Sequence, residues 1–308
     1  MAQSTPTLRI GTRGSPLALV QARAVRARLA AAAGVAEEVI EIVVIRTSGD
    51  TIQDRPLSAE GGKGLFTKEI EEALLGGRID LAVHSAKDMP TFSQPGLAFV
   101  ACLEREDPRD VFISRKAKTL AELPQGATLG TASLRRQAVA KRVRPDLNIA
   151  LLRGNVQTRL RKLDEGQVDA TLLALAGMKR LGLEAHATHV MTLDQFLPAV
   201  GQGAIGIEAR EDDARVREWL GRINHDDTFT AIACERAFLA ALDGSCKTPI
   251  AGHAVVSGDA IEFRGLIARP DGAGAHDIDA TGHRGDAEKI GAEAGHTLKR
   301  TAGPNFFD

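Results

Sequence analysis

The chain has 308 residues, 44% of them hydrophobic, and a formal net charge of −1. This length and apolar content are sufficient for two or three domains with buried cores, and the near-neutral charge gives no reason to expect nucleic acid or a membrane as a partner. The three cysteines, Cys102, Cys234 and Cys246, show no Cys-x-x-Cys spacing, which argues against a disulfide framework or a zinc site.

The sequence also lacks the common signals for export and for catalytic metals. Residues 1–6 do not show the charged-then-apolar pattern of a secretory signal, and no apolar run approaches the ~18 residues that a membrane-spanning helix needs. The eight histidines show no His-Glu-x-x-His or similar spacing. We therefore expect a cytoplasmic protein with no catalytic metal.

The first hundred residues alternate between strand and helix patterns. Ser15 is suited to cap a helix, and Pro16 is suited to its first position. Thr67, followed by acidic residues and later by two glycines, frames a second helix in the same way. A β-α-β-α-β order of this kind implies parallel strands. The predicted strands cover residues 9–12, 41–46 and 80–84, and the predicted helices cover residues 15–34 and 67–77.

The same pattern recurs later in the chain. Residues 130–138 resemble residues 11–16, with a Gly-Thr pair at the strand end and a serine at the helix start. Residues 166–173 likewise parallel residues 77–84. We infer two similar α/β domains that face each other across a cleft. The connections between them are predicted at residues 104–108 and 197–203, which are rich in polar residues, proline and glycine.

A third domain begins near Thr228. A helix pattern over residues 235–242 leads into a Gly-Ser-Cys loop, then into alternating runs near His253 and Phe263, and a final helix starts near Asp286. This order predicts a small α+β domain. The predicted domains comprise residues 1–103 with 203–222, residues 108–197, and residues 225–308.

Residues 80–91 carry the strongest functional signal. An apolar run that predicts a buried strand leads directly into a polar turn with Lys87 and Asp88. In open α/β sheets, ligands bind beyond the carboxyl ends of the strands, so a carboxylate at this point faces a substrate. The alternative is that Lys87 and Asp88 are ordinary turn residues before Pro90. We take Asp88 as the leading candidate for a catalytic residue.

A basic cluster predicts an anionic ligand. Residues 130–161 contain eight arginines and lysines against one acidic residue, Asp146, which gives a local net charge of +7. Such a cluster indicates either an anion-binding site or a solvated helix face, and we expect Arg142, Arg144 and Arg161 to be helix-face residues. Four other arginines and a serine lie near predicted helix starts, where free N–H groups favour anions. These candidates are Ser133, Arg135, Arg136, Arg153 and Arg159, with Arg13 at the equivalent place in the first domain.

Several arginine side chains at one site exceed what a single small anion needs, so we expect a ligand that carries many carboxylates. Cys246 is a separate candidate. It lies in a loop beside Lys247 and is either an inert thiol or one with thiolate character. Cys234 lies inside a helix pattern and is expected in the core.

Seven segments, taken together and in order, resemble the porphobilinogen deaminase family, also called the hydroxymethylbilane synthases. The resemblance extends over essentially the whole chain. The segments are Arg9-Ile-Gly-Thr-Arg13 with Ser15-Pro-Leu-Ala-Leu19, Gly61-Gly-Lys-Gly-Leu-Phe66, His84-Ser-Ala-Lys-Asp88, Gly130-Thr-Ala-Ser-Leu-Arg-Arg-Gln137, Leu152-Arg-Gly-Asn-Val156, Gly201-Gln-Gly203 and Gly244-Ser-Cys-Lys-Thr-Pro-Ile250.

The resemblance implies an α/β fold with two domains like type II periplasmic binding proteins around a cleft, and a small C-terminal α+β domain. It implies that Cys246 carries a dipyrromethane cofactor through a thioether. Four porphobilinogen units are then condensed head to tail with loss of ammonia, and a linear tetrapyrrole is released. The arginine excess agrees with this chemistry, because every pyrrole brings an acetate and a propionate.

The resemblance also implies roles for single residues. It casts Asp88 as the catalytic carboxylate, which stabilises the positive charge that develops when ammonia leaves. Lys63 and Phe66 are expected on or beside a mobile lid, and Gln202 on the hinge side of the cleft. The expected contacts to cofactor or substrate carboxylates are Arg13, Ser15, Lys87, Thr131, Ser133, Arg135, Arg136, Arg153 and Arg159.

The expected partner is porphobilinogen, with no nucleic acid and no membrane, and the protein is expected to be a monomer. Two other classes of protein fit part of the pattern. A two-domain solute-binding or effector-sensing module would share the doubled α/β layout and the basic site but perform no chemistry. A cysteine hydrolase would use Cys246, but the local sequence shows no histidine partner.

Overall fold

The computed structural model describes residues 8–51, 64–244, 248–304 and 306. The described chain divides into two compact units. The first unit comprises residues 8–51, 64–105 and 204–229, and the second comprises the remainder. In these ranges no helix is long and apolar enough to cross a membrane.

Strands and helices alternate along most of the chain, as the sequence predicts. In chain order they are β1 (Leu8–Thr12), α1 (Pro16–Ala33), β2 (Ile40–Val44), α2 (Ser48–Thr51), α3 (Lys68–Leu75), β3 (Leu81–Ser85), β4 (Leu97–Cys102), β5 (Asp110–Ser114), β6 (Thr128–Gly130), α4 (Leu134–Val143), β7 (Asn148–Ala150), α5 (Val156–Asp164), β8 (Ala170–Ala174), α6 (Leu175–Arg180), β9 (His189–Val190), β10 (Ile205–Arg210), α7 (Ala214–Gly221), α8 (Asp226–Ala241), β11 (Ile250–Ser257), β12 (Ala260–Ala268), β13 (Ala275–His283) and α9 (Ala287–Ala302).

Helix α1 begins and ends as its sequence predicts. The hydroxyl of Ser15 accepts a hydrogen bond from the backbone N–H of Ala18, and Pro16 occupies the first helical position. The helix ends at Gly34, whose φ of 67° lies in the left-handed region that favours glycine. The prediction for α3 was wrong in one respect. Thr67 occupies the N-cap position, but its hydroxyl makes no capping hydrogen bond.

The two large sheets have the same strand order. The first sheet is ordered β2-β1-β3-β10-β4, and the second is ordered β7-β6-β8-β5-β9. In each sheet the first three strands are parallel, as predicted, but the fourth strand in the order, β10 or β5, runs antiparallel to both of its neighbours. The sheets are therefore mixed. This shared order supports the internal repeat inferred from the sequence.

One pair of equivalent aspartates shows how closely the two sheets correspond. In the first sheet, the Oδ2 of Asp80 accepts a hydrogen bond from the N–H of Arg9 at 2.8 Å. In the second sheet, the Oδ2 of Asp169 accepts one from the N–H of Thr128 at 2.7 Å. In both sheets the aspartate's own N–H donates back to the same neighbour's carbonyl. Each carboxylate thus fixes the amino end of a central strand, which leaves the carboxyl ends for ligands.

The third sheet is antiparallel, with the order β11-β12-β13. Helices α8 and α9 contribute to its core, where the rings of Phe238 and Phe263 lie 4.8 Å apart between centroids. The turn after β12 packs on α4, since a Cβ at Gly272 would lie 2.8 Å from the backbone N of Arg142. The third sheet therefore belongs to the same compact unit as the second sheet. The expected division into three domains, and the cleft, stay predictions.

Candidate functional site

Polar candidates of the first unit cluster where β1 and β3 end. These neighbouring strands are parallel, so their carboxyl ends lie at the same edge of the sheet. Arg13 and Ser15 follow β1, while Lys87 and Asp88 follow β3. In open α/β sheets this edge is where ligands bind. The structure thus brings four sequence-predicted site residues to one edge.

Asp88 is exposed at the end of a short 3-10 turn, Ala86–Asp88, that rests on buried structure. The N–H of Ala86 donates to the carbonyl of Ala204 at 3.0 Å, and the following Met89 is buried. Below the turn, the amide of Gln21 donates to the hydroxyl of Ser85 at 2.9 Å. A carboxylate on such a rigid support faces solvent with little freedom of its backbone, which suits it to interact with developing positive charge. The sequence analysis did not identify Gln21, because a single polar residue on a helix carries no recognisable pattern.

His84 lies directly before this turn but does not carry a charge at neutral pH. Burial, with a smaller contribution from the positive charge of Arg13, lowers the pKa of His84 to about 4. Its Nε2 lies 3.8 Å from the Oε2 of Glu208 on β10. Because the imidazole is neutral, this contact is not an ion pair at pH 7. We interpret His84 as a structural residue of the sheet.

Arg13 and Phe66 contact each other. The guanidinium carbon of Arg13 lies 4.2 Å from the centroid of the Phe66 ring, which is a cation–π distance. The ring limits the positions that this arginine can adopt. Arg13 was predicted to contact ligand carboxylates and Phe66 to lie on or beside the lid, so the structure brings these two predicted residues together. The other predicted lid residue, Lys63, lies outside the described residues.

In the second unit, the candidate site residues lie at the starts of helices, as predicted. Ser133 caps α4 by accepting a hydrogen bond from the N–H of Arg136 at 3.3 Å. The hydroxyl of Thr131 accepts one from the N–H of Ser133 at 3.1 Å. The Nε of Arg159 donates to the carbonyl of Gly154 at 2.9 Å, which holds this guanidinium near the start of α5.

The side chains of Arg135 and Arg136 are buried and share one carboxylate. The Nη2 atoms of both arginines lie 2.7 Å from oxygens of Asp110, whose side chain is fully buried at the start of β5. Gln202 joins the same cluster, because its Nε2 lies 3.0 Å from an oxygen of Asp110. The positive charges lower the pKa of Asp110 well below its usual range, although burial opposes them. The sequence analysis did not identify Asp110. Its one signal in the sequence is that a charged residue stands at the start of an apolar strand.

The three arginines of this segment that were expected on helix faces each pair with an acid. Arg142, Arg144 and Arg161 lie within 4 Å of carboxylates of Asp277, Asp146 and Glu165. The exposed Arg142 and Arg161 agree with their interpretation as helix-face residues. For Arg144 that interpretation was wrong, because its side chain is only 16% exposed at the C-cap of α4 and donates to the carbonyls of Leu120, Ala121 and Leu123.

The structure describes two of the three cysteines. Cys102 and Cys234 are buried in the core, and burial raises the pKa of the Cys234 thiol to about 12, so neither is suited to react. Cys246 lies outside the described residues. Within the described ranges, no group of three or more His, Cys, Asp or Glu side chains is arranged to hold a metal ion.

Comparison with known families identifies the class of protein. The family model described as "Porphobilinogen deaminase, dipyromethane cofactor binding domain" matches residues 8–218, and the model of the "Porphobilinogen deaminase, C-terminal domain" matches residues 229–300. The chain therefore belongs to the porphobilinogen deaminase family, whose enzymes are hydroxymethylbilane synthases.

Individual relatives agree. The porphobilinogen deaminase of Nitrobacter winogradskyi is 60% identical over 298 residues, which is 97% of this chain and 94% of the relative. The porphobilinogen deaminase of Nitrobacter hamburgensis is 59% identical over the same shares. The resemblance stated from the seven segments is thus confirmed.

Solved structures with a similar fold include periplasmic binding proteins. One from Coxiella burnetii, named as an ABC transporter substrate-binding protein, has a TM-score of 0.44 and 15% identity, covering 75% of this chain and 97% of its own. One from Salmonella typhimurium has a TM-score of 0.40 and 14% identity, covering 70% and 91%. Because both TM-scores are below 0.5, we base the fold assignment on the strand order of the two sheets.

The buried arginine cluster fits an anionic cofactor such as a dipyrromethane. Two guanidinium groups face one carboxylate, so the cluster retains a net positive charge. The buried Nε of Arg135 also has no hydrogen-bond partner among the described residues. An uncompensated buried charge is costly, so a carboxylate of a bound group would stabilise this arrangement.

Proposed function

We propose that this chain is a transferase that condenses four porphobilinogen molecules head to tail, with release of ammonia, into the linear tetrapyrrole hydroxymethylbilane. The observation that carries the proposal is the match of both family models over nearly the whole chain. It is supported by an exposed carboxylate, Asp88, at the ligand-binding edge of a sheet that also presents Arg13 and Lys87. A solute-binding module would need the basic groups but has no use for the catalytic carboxylate.

We propose Asp88 as the catalytic residue. When porphobilinogen loses ammonia, positive charge develops on the pyrrole that remains. An ionised carboxylate near the pyrrole N–H stabilises this charge, and it can accept and return the protons that move during the condensation. Asp88 suits this role because its turn is anchored by Ala86 and Met89 while its own side chain is exposed.

The basic residues bind the carboxylates of the pyrroles in this proposal. In the first unit these are Arg13 and Lys87, with Ser15 at the start of α1. In the second unit the donors are the starts of α4 and α5 with their arginines. Guanidinium groups suit acetate and propionate because they donate two parallel hydrogen bonds to one carboxylate. The proposed set is Arg13, Ser15, Lys63, Phe66, Lys87, Thr131, Ser133, Arg135, Arg136, Arg153, Arg159 and Gln202.

Cys246 attaches the dipyrromethane cofactor through a thioether in this proposal. When bound, that cofactor supplies a pyrrole with a free α-carbon to which the first substrate unit is joined. The residues of this chain then hold the carboxylates and exclude water, while Asp88 supplies the charge stabilisation. We further propose that the protein acts as a monomer in the cytoplasm.

The test is the stoichiometry of the reaction. The purified chain incubated with porphobilinogen is expected to release one ammonia for each porphobilinogen consumed, and one linear tetrapyrrole for every four. Mass spectrometry of the small-molecule product and an ammonia assay measure both ratios. Binding of porphobilinogen without ammonia release would overturn the proposal and favour the solute-binding module.

A further inference from the structure

The carboxylate of Asp110 connects three of the proposed binding residues. It accepts hydrogen bonds from Arg135 (Nη2, 2.7 Å), from Arg136 (Nε, 3.2 Å, and Nη2, 2.7 Å) and from Gln202 (Nε2, 3.0 Å). The Asp110 side chain is 0% exposed, and the arginine side chains are 4% and 7% exposed. Two adjacent guanidinium groups repel each other unless a negative charge lies between them. Asp110 supplies that charge.

The fold itself does not require a carboxylate at this position. Asp110 pairs with Ala174 at the carboxyl end of β8. In the first sheet, the equivalent strand β10 pairs Ile205 with Ser85 at the carboxyl end of β3. Ile205 is 3% exposed and packs in the core of its unit. An isoleucine occupies the equivalent position in the repeated sheet. The strand therefore forms without a charge there, and the charge of Asp110 stabilises the arginines.

The two arginines differ in which guanidinium N–H donors remain available to a ligand. The Nη1 of Arg135 donates to the carbonyl of Leu197 at 2.8 Å, so this side chain is anchored on both sides. Arg136 contacts Asp110 through its Nε and Nη2, so its Nη1 takes no part in that contact. The cluster has two positive charges and one negative charge, so one positive charge remains to be neutralised. The Nε of Arg135 and the Nη1 of Arg136 are therefore the guanidinium donors that these contacts leave to a ligand.

We infer that Asp110 is a positioning residue of the enzyme, the internal counter-ion that holds Arg135 and Arg136 so that the pair binds one carboxylate of the cofactor or of a growing chain. This inference rests on the proposed function. Without the negative charge, the two guanidinium groups separate, and the donor of Arg136 no longer has a fixed direction. A bidentate contact depends on that direction, so its loss weakens ligand binding.

The experiment compares Asp110→Asn and Asp110→Glu with Asp169→Asn in the full-length protein. Asp169 is the matched control, because it is also a hydrogen-bonded carboxylate of the second sheet but lies at the opposite edge of that sheet, directly before the amino end of β8. For each variant we measure the thermal midpoint, the fraction of chains carrying a dipyrrole by intact mass, and KM and kcat for porphobilinogen.

For Asp110→Asn we expect either the fraction of chains that carry a dipyrrole to fall, or KM for porphobilinogen to rise, by ~10-fold or more. The kcat per chain that carries a dipyrrole is expected to fall by a smaller factor. Asp110→Glu keeps the charge and is expected to recover part of this loss. Asp169→Asn is expected to lower the thermal midpoint while the adduct fraction and KM stay within about twofold of the wild type.

A folded Asp110→Asn protein with wild-type adduct fraction and KM would overturn the inference. If Asp110→Asn does not fold, Asp110→Glu decides in the same way, and failure of both to fold would show that Asp110 serves the fold instead. A wild-type chain that neither carries a dipyrrole nor consumes porphobilinogen would overturn the proposed function itself, before any variant is compared.

Discussion

Replacing Asp88 by asparagine is expected to lower kcat at least ~100-fold while the fold is retained. Asparagine has nearly the same shape as aspartate, but its neutral amide does not stabilise positive charge on a pyrrole. The Asp88 side chain is exposed, and the turn that carries it is held by the backbone of Ala86 and by buried Met89. Neither of these supports depends on the carboxylate. The loss should therefore appear in turnover and not in stability.

The measurement is kcat for porphobilinogen alongside the thermal midpoint and the intact mass of the same preparation. Asp212→Asn provides the control, because Asp212 is an exposed aspartate of the same unit that follows β10 at the opposite edge of the sheet. The control is expected to keep wild-type turnover. An Asp88→Asn protein with near-normal kcat would remove Asp88 from the catalytic role.

The second large effect concerns stability. Replacing Gly291 by alanine is expected to destabilise the C-terminal part of the second unit by ~3 kcal/mol or more, at the upper end of overpacking effects. A Cβ at Gly291 on α9 would lie 2.0 Å from the carbonyl oxygen of Cys234 on α8. That oxygen belongs to the backbone of a helix, so it has little room to move. A Cβ at Gly295, one turn further on, would likewise lie 2.7 Å from the carbonyl oxygen of Phe238.

Urea unfolding of Gly291→Ala and of a matched control measures this effect. In Gly221→Ala the new methyl group of α7 meets no atom within 4 Å. That control is expected to be neutral or to stabilise by up to ~1 kcal/mol, because alanine is the better helix former. An unchanged unfolding midpoint in Gly291→Ala would mean that α8 and α9 do not pack as closely as described.

Local signals in the sequence predicted local structure well. Ser15 and Pro16 located the start of α1, and the Gly-Thr pairs located the ends of β1 and β6. Asp88 was placed in the turn after a strand because an apolar run led directly into that turn. These features depend on neighbouring residues alone, so a single sequence carries them.

Features that depend on distant residues were not predicted. The antiparallel strands β5 and β10 occupy interior positions in their sheets, and hydrophobic periodicity does not report which strands pair. The basic segment predicted available arginines, but Arg135 and Arg136 are paired with Asp110, which lies 25 and 26 residues away. The close approach of Gly291 to α8 is a contact between two helices. No local pattern in the sequence indicates such contacts.

The intact mass of the denatured chain tests the central claim most directly. Cys246 is proposed as the attachment point of the dipyrromethane cofactor, and a thioether survives denaturation. The purified wild type is expected to exceed its calculated mass of 32.7 kDa by the mass of one dipyrrole, and Cys246→Ser is expected to show no addition. A wild-type chain that has no added mass, and gains none after incubation with porphobilinogen, would contradict the account.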